Sequence, residues 1–206
     1  MTITGQHDAE QPLFVELVNT LHWDEGEPIE LIGDRAGLAE WMEEHTLPGS
    51  VEDAWLPAFR SLREHARSIV KAIVAGQPPA NADIAALKQA VAAPTGRLQF
   101  VEHPDGRSEI AFHADGDARL AATCQIALSL ATFLATGDRL RLKLCANPGC
   151  GFAFLDTSTN RSRRWCFMRY CGNRLKARAF RRRRKAPGSE APAPSSDGQR
   201  IGAQSR

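Results

Sequence analysis

Apolar residues recur every three or four positions over much of the first 136 residues, a spacing that predicts amphipathic helices. The clearest case is the segment 51–75. The basic residues on its other side, Arg63 and Arg67 among them, are expected to face solvent. The same periodicity predicts further helices at 12–21, 35–45, 81–91 and 118–136. The last of these is apolar almost all round, so we expect it at the centre of the core.

The period changes to two in two places, which predicts strands. Leu98 and Phe100 precede the turn residues 104–107, and Ile110 and Phe112 follow them, a pattern typical of a β-hairpin. Further along, leucines at 140, 142 and 144 alternate with basic residues. This alternation predicts a strand, against which residues 152–154 could pair back.

Charge divides the chain into two parts of opposite sign. Residues 1–138 contain 9 Lys/Arg and 21 Asp/Glu, whereas residues 139–185 contain 15 Lys/Arg and a single acid, Asp156. The whole chain has a formal net charge of only +2, which conceals this division. Because like charges repel, a small module at +14 is expected to bind a polyanion.

Four cysteines lie in the basic part, as two C-x4-C pairs separated by fifteen residues: Cys145, Cys150, Cys166 and Cys171. Zinc is held tetrahedrally by thiolates from such closely spaced pairs. The alternatives are two disulfides or unrelated free thiols, although nothing in the chain indicates an oxidising compartment. No histidine follows His113, so the pattern favours one closed, structural Zn²⁺ over a catalytic one.

These patterns together predict an α+β protein: a mostly helical N-terminal domain with a β-hairpin, followed by a small four-cysteine zinc finger. We place the N-terminal domain at 1–138 and the finger at 139–185. Residues 186–206 are rich in Pro, Gly, Ser and Ala without periodicity, which predicts a disordered tail.

The motifs of the basic part resemble the CGNR zinc finger. They are CANPGC at 145–150, FLD at 154–156, SRRWC at 162–166 and CGNR at 171–174. In the N-terminal part, LVNT at 17–20, HW at 22–23 and LAEW at 38–41 are similar to the ABATE domain, which that family pairs with the finger. The resemblance implies zinc binding, DNA binding and a bacterial transcription regulator linked to stress.

Basic and amide side chains of the finger are the candidates for nucleic-acid contact. We expect a C-terminal helix that begins near Cys166, and Asn173 and Arg174 near its start could read base edges, although Asn173 could equally fix the loop. The remaining candidates are expected to hold phosphates. The full set is Arg161, Arg163, Arg164, Asn173, Arg174, Lys176, Arg178, Arg181, Arg182 and Lys185. Trp165 and Phe180 are interpreted as core residues; stacking on bases is the alternative for Trp165.

A polar cluster follows the first predicted helix. Asn19, His22 and Trp23, with Thr20 and Asp24 beside them, could line a pocket for a small-molecule effector. The alternative is that they cap and pack the helix end. A homodimer is a further open hypothesis.

Sequence motifs for catalysis are missing: there is no phosphate-cradling Gly-rich loop, G-x-S-x-G elbow or H-E-x-x-H. We therefore expect a protein that is not an enzyme. No secretory leader is apparent and the apolar run 120–135 is shorter than the roughly 20 residues that span a bilayer, so we expect a cytoplasmic location and no membrane partner. The favoured function is a DNA-binding transcription regulator; the alternative is a zinc-dependent module that binds RNA or protein.

Overall fold

The computed structural model describes residues 11–24, 26–93 and 95–185 of the chain. Within these residues, the α-helices span Leu13–Asn19 (α1), Arg35–Glu44 (α2), Leu56–Val74 (α3), Asn81–Ala92 (α4), Ala118–Thr136 (α5) and Asn173–Lys185 (α6). The strands span Leu21–Asp24 (β1), Glu27–Glu30 (β2), Gly96–Glu102 (β3), Ser108–Ala114 (β4), Leu142–Leu144 (β5) and Ala153–Leu155 (β6). Short 3-10 turns cover Asp53–Trp55 and Arg139–Arg141, and a π-helix covers Met168–Gly172. The α+β fold class is confirmed, whereas the predicted tail at 186–206 lies outside the described residues.

The central helix of the N-terminal core is α5, as predicted. Ile126 and Leu130 are buried, and the ring of Phe133 lies 5.2 Å from that of Phe14 in α1. The helix also contacts α3 and α4. By length and composition alone α5 could cross a membrane, but here its apolar face is used to pack against the other helices.

Each sheet of the described chain is an antiparallel pair of strands: β1 with β2, β3 with β4, and β5 with β6. The hairpin at β3–β4 is confirmed, and Leu98, Phe100 and Ile110 on one of its faces are exposed. The β1–β2 hairpin was not predicted, because the polar cluster at 19–24 was interpreted only as a ligand pocket or as the cap of a helix end. Its signal was Gly26, whose φ of +99° permits the tight turn between two four-residue strands.

Two arginines of α3 are buried, so the prediction that they face solvent is wrong. Arg63 is 3% exposed and donates to the Glu30 carboxylate at 2.6 Å. Arg67 donates to the carbonyl of Leu21 at 2.7 Å and lies over the Trp23 ring. The β1–β2 hairpin covers this side of α3, which the helical period could not reveal.

The β5–β6 ribbon joins the finger to the N-terminal core. On one face of the ribbon, Leu142 and Ala153 belong to the N-terminal core. From its other face, Phe154 belongs to a separate core around the cysteines. The predicted boundary at 138/139 stays a prediction, but hydrophobic packing crosses it. Leu140, predicted in the strand, lies in the preceding 3-10 turn and is exposed.

Candidate metal centre and nucleic-acid interface

The four cysteines of the finger meet at one buried point. Their sulfur atoms all lie within 4.8 Å of one another, with 3.5 Å between Cys150 and Cys166 and 3.7 Å between Cys166 and Cys171. Four sulfurs about 2.3 Å from one tetrahedral zinc would be about 3.8 Å apart. All are free thiols rather than disulfides. The donor set and its spacing therefore fit one structural zinc ion, as predicted, with Cys145, Cys150, Cys166 and Cys171 as ligands.

A turn and a ribbon position the first pair of cysteines. Cys145 follows β5, and its amide donates to the carbonyl of Phe152 at 2.8 Å. The turn then closes through the amide of Cys150, which donates to the carbonyl of Asn147 at 3.0 Å. The predicted pairing of residues 152–154 with the entering strand is thus what brings the two sulfurs together.

The second pair is held differently from the prediction of a helix beginning near Cys166. Cys166 ends a loop, Phe167 is extended, and Cys171 lies in the π-helix that precedes α6. The amide of Gly172 donates to the carbonyl of Phe167 at 3.3 Å, five residues back. Because a π turn is wider than an α turn, the Cys171 side chain points in a different direction from the one it would have in a regular α-helix.

Asn147 supports the metal site, a role that sequence reasoning missed. Its amide nitrogen lies 3.5 Å from the sulfur of Cys171, and its side-chain oxygen accepts from the amide of Gly149 at 3.4 Å. The side chain is buried. Groups that donate to metal ligands orient them and tune the metal, so Asn147 is a supporting residue of the site. The sequence signal for this role of Asn147 was its position between Cys145 and Cys150 in the first C-x4-C pair.

The thiols perturb one another's protonation. Hydrogen bonds from the other three thiols hold the pKa of Cys145 far below its usual range. The same contacts, with burial, raise the pKa of Cys166. Zinc binds the thiolate form of cysteine, so metal binding at this site displaces the thiol protons.

Asp156 organises the loop between the two cysteine pairs, which sequence reasoning also missed. Its carboxylate is fully buried and accepts from Lys143 Nζ at 2.6 Å, the amide of Arg163 at 2.9 Å and the Ser158 hydroxyl at 2.6 Å. Burial alone would raise the pKa of Asp156, but these hydrogen bonds outweigh it and hold the pKa well below its usual range. The sequence offered one signal for this role: Asp156 is the single acid among the fifteen basic residues of the segment 139–185.

Aromatic residues fill the small core around the cysteines. Phe152, Phe154 and Phe167 are buried, and Trp165 packs against them partly buried, so the core interpretation of Trp165 is confirmed. Phe180 is 57% exposed on α6, so the core interpretation is wrong for this residue.

Among the described residues, three of the predicted nucleic-acid candidates have hydrogen bonds or ion pairs to other parts of the protein. Arg163 donates to the backbone carbonyls of Trp165 and Cys166. Arg161 pairs with Asp138 at 2.9 Å, and Arg174 forms an ion pair with Asp24.

The other candidates are more exposed. Arg164 lies over the Trp165 ring, 5.3 Å from its centroid, and remains exposed. The exposed residues at the start and along α6 are Asn173, Lys176, Arg178 and Arg181. Arg182 and Lys185 belong to α6, but their side chains lie outside the described part of the chain.

The predicted ligand-pocket residues lie at the contact between the N-terminal part and the finger. Asn19 hydrogen bonds to Ala153 in β6, and the His22 ring lies 4.6 Å from that of Phe152. The amide of Trp23 donates to the carbonyl of Cys150 at 2.9 Å. Burial lowers the pKa of His22, which favours the neutral ring. An effector pocket at these residues stays a prediction.

Comparisons with known families give one match in each part of the chain. Residues 11–137 match the ABATE model, described as "Putative stress-induced transcription regulator". Residues 141–184 match the model of the CGNR zinc finger. A comparison with curated proteins found no match.

Proposed function

Because the chain belongs to the ABATE family and carries a CGNR zinc finger, we propose that it is a cytoplasmic, DNA-binding transcription regulator. The observation that supports DNA binding best is the basic helix α6, which follows directly from the π-helix that holds a zinc ligand. Metal binding therefore fixes the direction in which the basic side chains are presented.

Electrostatics favour a polyanion as the partner of this helix. Lys176, Arg178 and Arg181 are exposed on α6. Each Lys or Arg that neutralises a phosphate releases counterions, so the affinity falls steeply as salt is added. For duplex DNA, each phosphate contact adds about −0.9 to the slope of log K against log salt concentration, which is called the salt slope below. A helix of this kind is expected to bind phosphates first, and base readout would then add specificity.

Sequence readout is assigned to the beginning of α6. Asn173 is the first residue of the helix and is exposed. An asparagine amide can pair bidentately with adenine in the major groove. Arg174 is less suited to base readout than predicted, because it is engaged with Asp24.

The test compares two triple variants of equal charge change. K176Q/R178Q/R181Q removes three exposed cations from α6, whereas R35Q/K71Q/K88Q removes three exposed cations from the N-terminal helices. We expect the first variant to lower the salt slope of duplex binding by about 2 to 3 and the second to leave it nearly unchanged. Equal losses in both would show that binding follows net charge and does not use α6.

RNA binding is the second candidate, favoured by the exposed ring of Phe180 among basic residues. Single-stranded nucleic acids stack bases on such rings, for about 1–3 kcal/mol per base. Duplex DNA, structured RNA and single strands should be compared at one salt concentration, each with wild type and F180A. Preference for duplex DNA, and discrete promoter sites in genome-wide mapping, would support the first candidate. Preference for RNA with a large loss in F180A would support the second.

The N-terminal domain is proposed to respond to a signal rather than to catalyse a reaction. Asn19 and Trp23 of this domain hydrogen bond to Ala153 and to the metal ligand Cys150 of the finger. A conformational change caused by a ligand of the N-terminal domain could therefore alter the metal site. A thermal-shift screen of the full chain with small metabolites tests whether an effector exists. Absence of any stabilising compound would favour a scaffold role, which includes the homodimer hypothesis.

A further inference from the structure

A cleft of about 170 Å³ lies where three parts of the chain meet. Gly26 contributes from the β1–β2 turn, Asn147 and Gly149 from the first cysteine turn, and Arg174 and Arg178 from α6. One wall therefore belongs to the N-terminal domain and two walls belong to the finger.

The chemistry of this cleft suits an oxyanion. Arg174 and Arg178, four residues apart on α6, both line the cleft. The guanidinium group of an arginine matches carboxylate and phosphate oxygens in a planar fork. Gly26 and Gly149 have no side chains, so a ligand can approach the backbone closely there. Arg174 already pairs with a carboxylate of the protein itself, that of Asp24.

Asp24 is held against α6 by the fold. It ends β1 and lies opposite Glu27 in the hairpin register. The preceding residue, Trp23, donates its amide to the carbonyl of the metal ligand Cys150 at 2.9 Å. Two backbone interactions therefore position the Asp24 carboxylate: the pairing of β1 with β2 inside the N-terminal domain, and the hydrogen bond from Trp23 to Cys150 of the finger.

From these observations we propose that the cleft is a phosphate-binding site for the nucleic-acid backbone, and that Asp24 is an internal anion which a phosphate displaces from Arg174. This inference rests on the proposed nucleic-acid binding. Side-chain exposure of 38% for Arg174 and 42% for Asp24 leaves the pair open to exchange with a ligand in solution. A backbone phosphodiester has two non-bridging oxygens, as many as a carboxylate, and because Arg174 and Arg178 line the same cleft it can engage both arginines.

Displacement makes the N-terminal domain a competitor of DNA for its own finger. The domain brings 21 acids in residues 1–138, and Asp24 forms an ion pair with Arg174 of α6. Any change that moves the β1–β2 turn away from α6 would raise the affinity for DNA.

The opposite role for Asp24 is positioning, in which the carboxylate orients Arg174 for contact with DNA. The two roles predict opposite changes in DNA affinity when the Asp24 carboxylate is removed. Removing a competitor strengthens binding, whereas removing a positioning group weakens it.

The test uses the full-length, zinc-loaded chain and a labelled 20-base-pair duplex of arbitrary sequence, measured by fluorescence anisotropy at several salt concentrations. D24N is compared with E40Q, which makes the same charge change at an exposed position of α2. We expect D24N to lower Kd about twofold to fivefold at low salt, the scale of one exposed ion pair, and E40Q to change it less. R174Q and R178Q should each reduce the salt slope by about 0.9.

The double variant D24N/R174Q decides whether the two residues act together. We expect the gain from D24N to vanish when Arg174 is absent. A gain that persists, an unchanged Kd or a weaker Kd in D24N would overturn the inference. Zinc content and thermal unfolding of every variant confirm that the finger is intact. If wild type binds no duplex at any salt, the proposed DNA binding itself fails; if wild type binds and only D24N disagrees, the present inference alone fails.

Discussion

The side-chain amide of Asn19 pairs with the backbone of Ala153 through two hydrogen bonds, across 134 residues of sequence. Asn19 Nδ2 donates to the Ala153 carbonyl at 3.0 Å, and the Ala153 amide donates to Asn19 Oδ1 at 2.8 Å. Both groups are buried. Asn19 thus takes the place of a neighbouring strand for β6, and this contact ties the end of α1 to the zinc finger.

Asn19→Ala is expected to destabilise the protein by about 2–4 kcal/mol. The change leaves a buried N–H and a buried C=O of Ala153 without partners, and each unsatisfied group costs about 1–3 kcal/mol. Urea unfolding of the zinc-loaded protein measures the loss. The control is Asn81→Ala, because Asn81 is exposed at the first turn of α4. If both variants lose equal stability, the Asn19–Ala153 pair does not join the two parts.

Cys166→Ser is expected to abolish stoichiometric zinc binding and to unfold the finger. Structural zinc contributes apparent free energies of about 10–16 kcal/mol in finger peptides, and the basic charge of this segment opposes folding without it. Metal analysis and nucleic-acid binding are the measurements. The matched control is Cys124→Ser, since Cys124 is a buried thiol in α5 outside the cluster. Full zinc content in Cys166→Ser would contradict a four-thiolate site.

The same variant is expected to lower the thermal stability of the N-terminal helices while leaving them folded. Leu142 and Ala153 of the β5–β6 ribbon are part of the N-terminal core, so loss of the finger loosens that packing. Far-UV circular dichroism at 25 °C should lose only the helical signal of the finger and keep that of α1 to α5, whereas Tm should fall. An unchanged Tm would show that the ribbon is held without the metal.

Glu16→Gln is expected to stabilise the protein at pH 8 and to have little effect near pH 4.5. Burial, with the charge of Glu44 adding to it, raises the pKa of Glu16 to about 7 from 4.5. The folded state therefore binds more protons than the unfolded state between these values, and stability falls as pH rises through this window. The shift corresponds to about 3 kcal/mol at most.

Chemical unfolding at pH 4.5, 6 and 8 measures this pH dependence. Comparison at each pH cancels the effect of protons on zinc binding, which is common to all variants. Glu43→Gln, at an exposed position beside Glu44, is the control. Equal pH dependence in wild type and Glu16→Gln would contradict the raised pKa.

Asp156→Asn is expected to destabilise the finger and speed zinc release to a chelator. The variant removes the charge that Lys143 and the amide of Arg163 bind, and a broken buried ion pair costs about 3–5 kcal/mol. Because the pKa of Asp156 is depressed, this stability is present above the unfolded pKa and is lost as pH falls through the folded value. Asp53→Asn, in the exposed 3-10 turn before α3, is the control. Zinc release at the wild-type rate would show that the loop folds without Asp156.

Local patterns predicted the elements whose signal lies within one segment. The period of 3.6 predicted α3 and α5, and the alternation around residues 104–107 predicted β3–β4, because these patterns report on a single face of a single element. The hairpin β1–β2 was missed because four-residue strands are too short to show a period. The same omission explains why Arg63 and Arg67 were placed on the wrong side of α3.

The sequence by itself determined the metal site, because cysteine chemistry and spacing restrict which ion can be bound and from which residues. It also determined the separation of acidic and basic halves. Only the tertiary structure decided which basic side chains remain free to meet a partner, since Arg163 is used by backbone carbonyls and Arg174 by Asp24. It also decided that Asn19, His22 and Trp23 contact the finger. These choices depend on which surfaces meet, and residues more than a hundred positions apart leave no periodic signal of their contact.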